Sequence, residues 1–497
     1  MRLPIAKVLV ELVVVVTLAA PAARAASLTP LAVYFNGQDG VDGLNETLTG
    51  ALSPDGADLY TGAQTAVVAH FRRDPSTGLL RFVEALRNGT AGIQGLDGTQ
   101  GITVSPDGLN VYTASIEDTA ISVFRRDPAT GRLSFVEAEE NFGSIFLSQP
   151  ENVAVSPDGV FVYATIFQGS VAVYRRDPAT GALTFSSRHG DDQGPADRLV
   201  GAEGLAISGD GSYVYVACSF DNTVAVFRRS AGDGSLSLLQ TVFDDAAGGQ
   251  ALAGADALAL SPNGRQLYVG TIQDPAITVF DRNPANGRLT LSAVYSNGSG
   301  GVSGLWGVTS LTVSPNGAFL YAASIFDSRL AVFQRNHETG ALTFLEASLP
   351  GADALASSAN GEHLYAVSFS AVRVYKTSGA AGCQPRTDAL CLRNGRFRVE
   401  ASWADGNGGS GPGQAVSLTD ETGYFWFFDR DNVEVITKLL DACNPFGRFW
   451  FFAAGLTNVG VQLTVTDLTT GEVRIYTNPE GRPFPPLQDT DAFSGCP

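Results

Sequence analysis

The chain has 497 residues, of which 44% are hydrophobic and 16% charged, with 56 glycines and a formal net charge of −18. This composition excludes an intrinsically disordered chain, and the acidic balance excludes nucleic acid and anionic membrane surfaces as partners. The length accommodates one repeat domain and a smaller second one.

Residues 1–25 place Arg2 and Lys7 before an apolar run and end in Ala23-Arg24-Ala25, the pattern of a secretory signal peptide, with Glu11 interrupting the run. No later segment offers the roughly 20 apolar residues that span a bilayer. The expectation is a protein secreted to the periplasm or the exterior, monomeric, with no membrane insertion after cleavage.

Two phrases then alternate along the chain. The turn "SPDG" begins at Ser53, Ser105 and Ser156, with variants at Ser208, Ser261, Ser314 and Ser358, about fifty residues apart for most of the series. The hairpin "FRRDPATGRLSF" begins at Phe124, with relatives at Phe71, Tyr174, Phe227, Phe280 and Phe333. Each unit reads as four short strands rich in Val, Tyr, Phe and Thr, joined by turns in which Pro fixes φ and Gly accepts a positive φ. Four antiparallel strands at this period make one propeller blade. Seven turns against six hairpins leave one outer strand unaccounted for. "SLTPLAVYFNG" (Ser27–Gly37) matches "RLTLSAVYSNG" (Arg288–Gly298), the outer strand of blade five. The predicted fold is therefore all-β: a seven-bladed β-propeller over residues 27–378, closed by the N-terminal strand.

The position five residues before each turn serine opens an innermost strand: Leu48, Gln100, Glu151, Glu203, Asp256, Thr309 and Asp353. Gln100 and the four carboxylates are predicted to ring one mouth of the central channel as ligand-binding residues, with Trp306, in a long loop on the same face, as a ligand platform or a plug for the mouth. Glu151, Glu203, Asp256 and Asp353 are candidate ligands for a hard cation such as calcium; the alternative is a set of solvated strand starts too far apart to cooperate. Asp118, Asp221, Asn222, Asp274 and Asp327 are expected to bond within the turns between second and third strands. The Arg pairs that begin at Arg72, Arg125, Arg175 and Arg228 are expected to pair with hairpin carboxylates such as Asp74, Asp127 and Asp177.

"SPDGLNVYTAS" followed by "AISVFRRDPATGRLSFVE" resembles the lactonase family of seven-bladed propellers, related to bacterial 6-phosphogluconolactonase, and the likeness runs over residues 30–376. The resemblance implies the propeller and, as an activity, lactone hydrolysis. That family often carries His or Arg at the entry to the innermost strand, whereas none of the seven positions here does. For a hydrolase, Glu203 and Glu151 are the candidate general bases and Arg198 the candidate polariser of the lactone carbonyl. The expected function is a secreted binding or interaction protein that takes a small-molecule or cell-surface ligand on its acidic face. The alternatives are an extracellular lactone hydrolase and a structural cell-surface protein.

A linker at 379–387 precedes a predicted β-sandwich-like domain over 388–497. Its "GYFWFFD" and "FWFF" strands, with "LTNV" and "TVTDLTTG", resemble a module that recurs at the end of secreted bacterial proteins. Alternate aromatics there are expected to fill a core on one side and to pack on a neighbouring domain, or offer a platform to sugars or a surface partner, on the other. Cys383, Cys391, Cys443 and Cys496 suggest two disulfides in one of three pairings, with zinc the alternative, while Cys218 reads as a small buried residue.

Overall fold

The computed structural model describes residues 28–494 except 141–148, 192–197, 245–250, 337–338, 349, 378–382, 384–385, 394 and 469–471. The expected leader, His337, Cys496 and parts of the long loops lie outside these residues.

Seven four-stranded antiparallel sheets form the propeller. The first blade is β2 (Thr47–Leu52), β3 (Asp58–Ala63), β4 (Val67–Arg73) and β5 (Leu80–Arg87), paired in that order. The seventh takes its outer strand from the start of the chain. There β1 (Leu28–Phe35) lies antiparallel to Ala371–Thr377, with Leu28 opposite Thr377 and Phe35 opposite Ala371. Each innermost strand adjoins the next, and the last, Ala354–Ser357, adjoins β2, so the ring is closed. The hydrophobic core lies between blades: one cluster joins Tyr112, Ile121 and Val123 of blade two to Val153, Val162 and Tyr174 of blade three.

The repeated phrases are two halves of one inter-blade bolt. Arg73, Arg126, Arg176, Arg229, Arg282 and Arg335, the last residues of the third strands, are all buried. Arg126 donates from Nη1 to the carbonyl of Gly108 in its own blade (3.0 Å), from Nε to the Tyr60 hydroxyl of the preceding blade (3.0 Å) and from Nη2 to the Asp55 carboxylate there (2.7 Å). Tyr60 returns a bond to the Gly131 carbonyl (2.6 Å). Arg176 with Tyr112 and Asp107, and Arg229 with Tyr163 and Asp158, repeat the arrangement. Arg126, Arg176 and Arg229 therefore pair with turn carboxylates of the neighbouring blade, whereas Arg73 meets His363 and Arg335 meets Gln266 there. Asp74, Asp127 and Asp177, the expected partners, instead accept backbone N–H groups of their own hairpins. In blade seven Thr377 occupies the arginine position and donates to Gly361.

The aspartates before the third strands also reach further than expected. Asp118 accepts the Asp97 N–H (2.8 Å), Asp221 that of Val200 (2.8 Å), Asp274 that of Ala253 (3.0 Å) and Asp327 that of Trp306 (2.9 Å). They fasten the long loop that enters the innermost strand rather than closing their own turn.

The C-terminal region folds as two five-stranded sheets around one core that includes Phe397, Phe425, Phe451 and Phe493. Phe425, Phe427, Phe449 and Phe451 point inward, as their alternation predicts, whereas Trp426, Trp450 and Phe452 are half-buried and Phe428 is exposed, so the outer side is not closed off by a neighbouring domain. Cys383 is bonded to Cys391, Cys443 is also disulfide-bonded, and Cys218 is free and buried. Among the described residues no helix is long and apolar enough to cross a membrane.

Candidate active site

The innermost strands share an irregularity that aims one side chain of each toward the channel. In six blades the register to the second strand slips by one residue just after the first pair: Thr47 then Thr49, Thr99 then Gly101, Pro150 then Asn152, Ala202 then Gly204, Ala255 then Ala257, Val308 then Ser310. The skipped residues are Leu48, Gln100, Glu151, Glu203, Asp256 and Thr309. A bulge of this kind takes a residue out of the ladder and redirects its side chain. Asp353 holds the same place in blade seven, its N–H bonded to the Val367 carbonyl at 2.8 Å. All seven side chains line one cavity of about 480 Å³ at the mouth of the channel. That volume suits a small molecule.

Close approach of backbones tightens part of this ring. A Cβ on Gly204 would stand 2.0 Å from the Asp256 carbonyl oxygen, and one on Gly101 would stand 2.8 Å from that of Glu151. Only glycine lets these neighbouring strands lie so near each other. Glu203 and Asp256 consequently reach a hydrogen bond, and the Ser219 hydroxyl donates to Glu203 Oε1 at 2.8 Å.

The electrostatics follow from burial without a cation. Among the described residues no Lys, Arg or His lines the cavity. Burial, reinforced by the Glu203 charge, pushes the Glu151 carboxyl up to about 7, and burial pushes Asp353 up to about 6. Glu203 is also raised by burial, moderated by its bonds from Ser219 and Asp256. Asp256 is raised well above the usual carboxylate range, by burial and by the Glu203 and Glu151 charges, so the pair holds a proton between its two carboxyls. The ring can thus offer an ionisable base beside a carboxylic acid that stays protonated near neutrality.

Four expectations need correction. Among the described residues no group of three or more His, Cys, Asp or Glu is arranged to hold a metal ion. Glu151, Glu203, Asp256 and Asp353 are therefore not grouped as the expected calcium site. Nor are they all too remote to cooperate, since the Glu203–Asp256 bond is direct. Arg198 does not enter the cavity: its guanidinium lies over the Phe243 ring, 5.2 Å from the centroid, on the outer strand of blade four. Trp306 is exposed on the mouth face, edge-on to Phe326, and neither lines nor plugs the cavity. The bulge and Gly204 escaped the sequence reading; the only signal was the offset between each strand's apolar alternation and its entry residue.

The raised carboxyls carry a cost that depends on pH. A carboxyl whose folded value lies above its unfolded one stabilises the fold most at low pH, and that stability is lost as pH rises through the folded value. Thermal stability is expected to fall between about pH 5 and about pH 8, with Glu151, raised from 4.5 to about 7, contributing at most about 3 kcal/mol of the decline. Glu151→Gln should flatten the decline, read as melting temperature against pH. A variant as pH-sensitive as the parent would contradict the buried ring.

The family model described as a seven-bladed β-propeller lactonase matches residues 50–200 and 197–357. A 6-phosphogluconolactonase from Pectobacterium carotovorum is 22% identical over 245 residues, which is 49% of this chain and 69% of that one. The periplasmic gluconolactonase of Pseudomonas aeruginosa is similar in structure, with a TM-score of 0.51 at 25% identity over 64% of this chain and 91% of its own. A protein from Lactobacillus plantarum shares the fold with a TM-score of 0.52 at 20% identity, over 64% of this chain and 89% of its own. With the bladed ring and its terminal strand accounted for, the chain belongs to the lactonase family of seven-bladed β-propellers.

Proposed function

We propose that the protein is an extracytoplasmic hydrolase of uncharged lactones, with its reaction at the bulge-lined mouth of the propeller, rather than the ligand-binding protein expected from the sequence. The observation that carries this reading is the set of unlike carboxyls in one cavity: Glu151, near neutrality, beside the proton-sharing pair Glu203–Asp256. Family membership and the likeness to a gluconolactonase support it. The Cys383–Cys391 disulfide and that relative's periplasmic location support export.

Lactone hydrolysis needs a base for water and an acid for the departing alkoxide. Ionised Glu151 takes a proton from water as its oxygen bonds to the carbonyl carbon. The ring C–O bond then breaks, and the alkoxide takes the proton that Asp256 shares with Glu203. Glu151 passes its proton to the pair through solvent, and the hydroxy acid leaves as a carboxylate with release of one proton. With no cationic side chain lining the cavity among the described residues, a phosphate on the substrate would meet carboxylates with no countercharge.

The test is base consumption by the purified chain in a pH-stat, with δ-valerolactone, glucono-δ-lactone and its phosphorylated counterpart. Hydrolysis of the uncharged lactones well above the buffer rate, with the phosphorylated one poorest, is the expected result. Rates equal to buffer for every lactone would dispose of the hydrolase reading.

A further inference from the structure

We propose, building on that hydrolase reading, that the preferred substrate is a lactone carrying an apolar substituent, which a collar of hydrophobic side chains holds above the carboxyl ring. The collar comes from the first two positions after each second strand. In six of the seven blades a large apolar residue stands within two residues after the second strand: Ile116, Phe167, Phe220, Ile272, Ile325 and Phe369. Blade one has Gln64 there.

Second strands run antiparallel to the innermost ones, so their ends return to the mouth where the carboxyls begin. The backbone bonds show this contact. Phe167 donates its N–H to the Gln149 carbonyl (3.0 Å), two residues before Glu151, and Ile325 donates to the Gly307 carbonyl (2.9 Å), two before Thr309. The Phe369 N–H bonds the Asp353 carboxylate itself. Ile272 and Ile325 line the cavity alongside the ring.

These side chains are placed for contact with something other than the chain. Within the collar Phe220 is 67% exposed, Phe369 54% and Ile325 36%, and on the same face Phe326 and Trp306 beside it are exposed too, although large apolar groups otherwise favour the interior. They are also set in fixed pairs, Phe167 against Phe220 at 5.2 Å and Trp306 against Phe326 at 6.2 Å, both edge-on. Apolar surface gathered around the opening of a polar cavity is the form of a binding site with a polar end and an apolar body. The ester group meets the carboxyls below, and an alkyl or aryl substituent on the lactone ring lies against the collar. The hydroxyls of a sugar lactone would face the same hydrocarbon and gain nothing from it.

The experiment compares kcat/KM of the full chain for δ-valerolactone, for δ-decalactone with its pentyl tail and for glucono-δ-lactone, and repeats it with Phe220→Ser/Phe369→Ser. Burial of about half the tail predicts a preference for δ-decalactone over δ-valerolactone of roughly 30-fold, falling to less than about fivefold in the double variant. Both residues are exposed, so the variant should melt as the parent does. Glucono-δ-lactone matching or exceeding δ-decalactone, or a preference unmoved by the double substitution, would overturn the collar and leave the hydrolase standing. Absence of hydrolysis with all three would overturn both, and so separates the two failures.

Discussion

Replacing Glu151 with Gln is expected to lower kcat for lactone hydrolysis about a hundred- to ten-thousand-fold, the usual contribution of a positioned general base. Glutamine keeps the size and the bulge but cannot take a proton, so KM should change little. The parent rate should rise with pH through a value of about 7, where Glu151 ionises, and then fall where the acid shared by Asp256 and Glu203 loses its proton. Because the acid titrates as a pair, that limb belongs to both residues together. Glu203→Gln should remove the falling limb's sharpness and lower kcat, since the carboxyl pair that holds the proton is broken. A Glu151→Gln protein retaining activity within about twofold of the parent, with an unchanged acid limb, would exclude it as the base.

A chain that starts after β1 is expected to lose its cooperative unfolding transition or to melt at least about 10 °C lower, given the scale of stability changes in domains. Leu28 is buried in the cluster between blades six and seven, and Ala32 and Tyr34 pack against the cluster that joins blades seven and one. The Tyr34 hydroxyl also accepts the Leu80 N–H at 2.8 Å, tying the added strand to the first blade. Without β1, the strand Ala371–Thr377 becomes an open edge ready to pair with another chain, so aggregation should accompany the loss. Differential scanning calorimetry measures the shift, and a synthetic peptide of residues 28–35 supplied in trans should recover part of it. A truncated chain melting within about 2 °C of the parent would show that closure needs no eight-residue clasp of this kind.

The blade repeat was legible because its determinants are local. Turn residues fix the hairpins, and the likeness of Ser27–Gly37 to Arg288–Gly298 located the missing outer strand. Counting five residues back from each turn serine located the ring of Gln100, Glu151, Glu203, Asp256 and Asp353, because strand entry and turn keep a constant distance in every blade, with a bulge at the entry in six of them. Partners were not legible in the same way. The turn Asp107 meets Arg176, which lies 69 residues further along in the next blade. Nothing local distinguishes it from Asp177, one residue after that arginine. Arg198 was a reasonable choice on charge alone, yet the position of its side chain was set by the exposed face of Phe243 on a strand that begins 38 residues later. The proton between Glu203 and Asp256 depended on a contact between adjacent backbones that only Gly204 permits.

The pairing of Leu28 with Thr377 has a consequence for how the molecule can be held. Innermost and third strands both run from the mouth toward the hairpin face, so the strand ending at Thr377 finishes behind the propeller, and β1 sets out from the same spot. Anything gripped through the C-terminal sandwich, or joined ahead of Leu28, is attached at the rear of the ring. A tether at either end works as a stalk, and the opening with its carboxyls and collar faces away from whatever the stalk is fixed to.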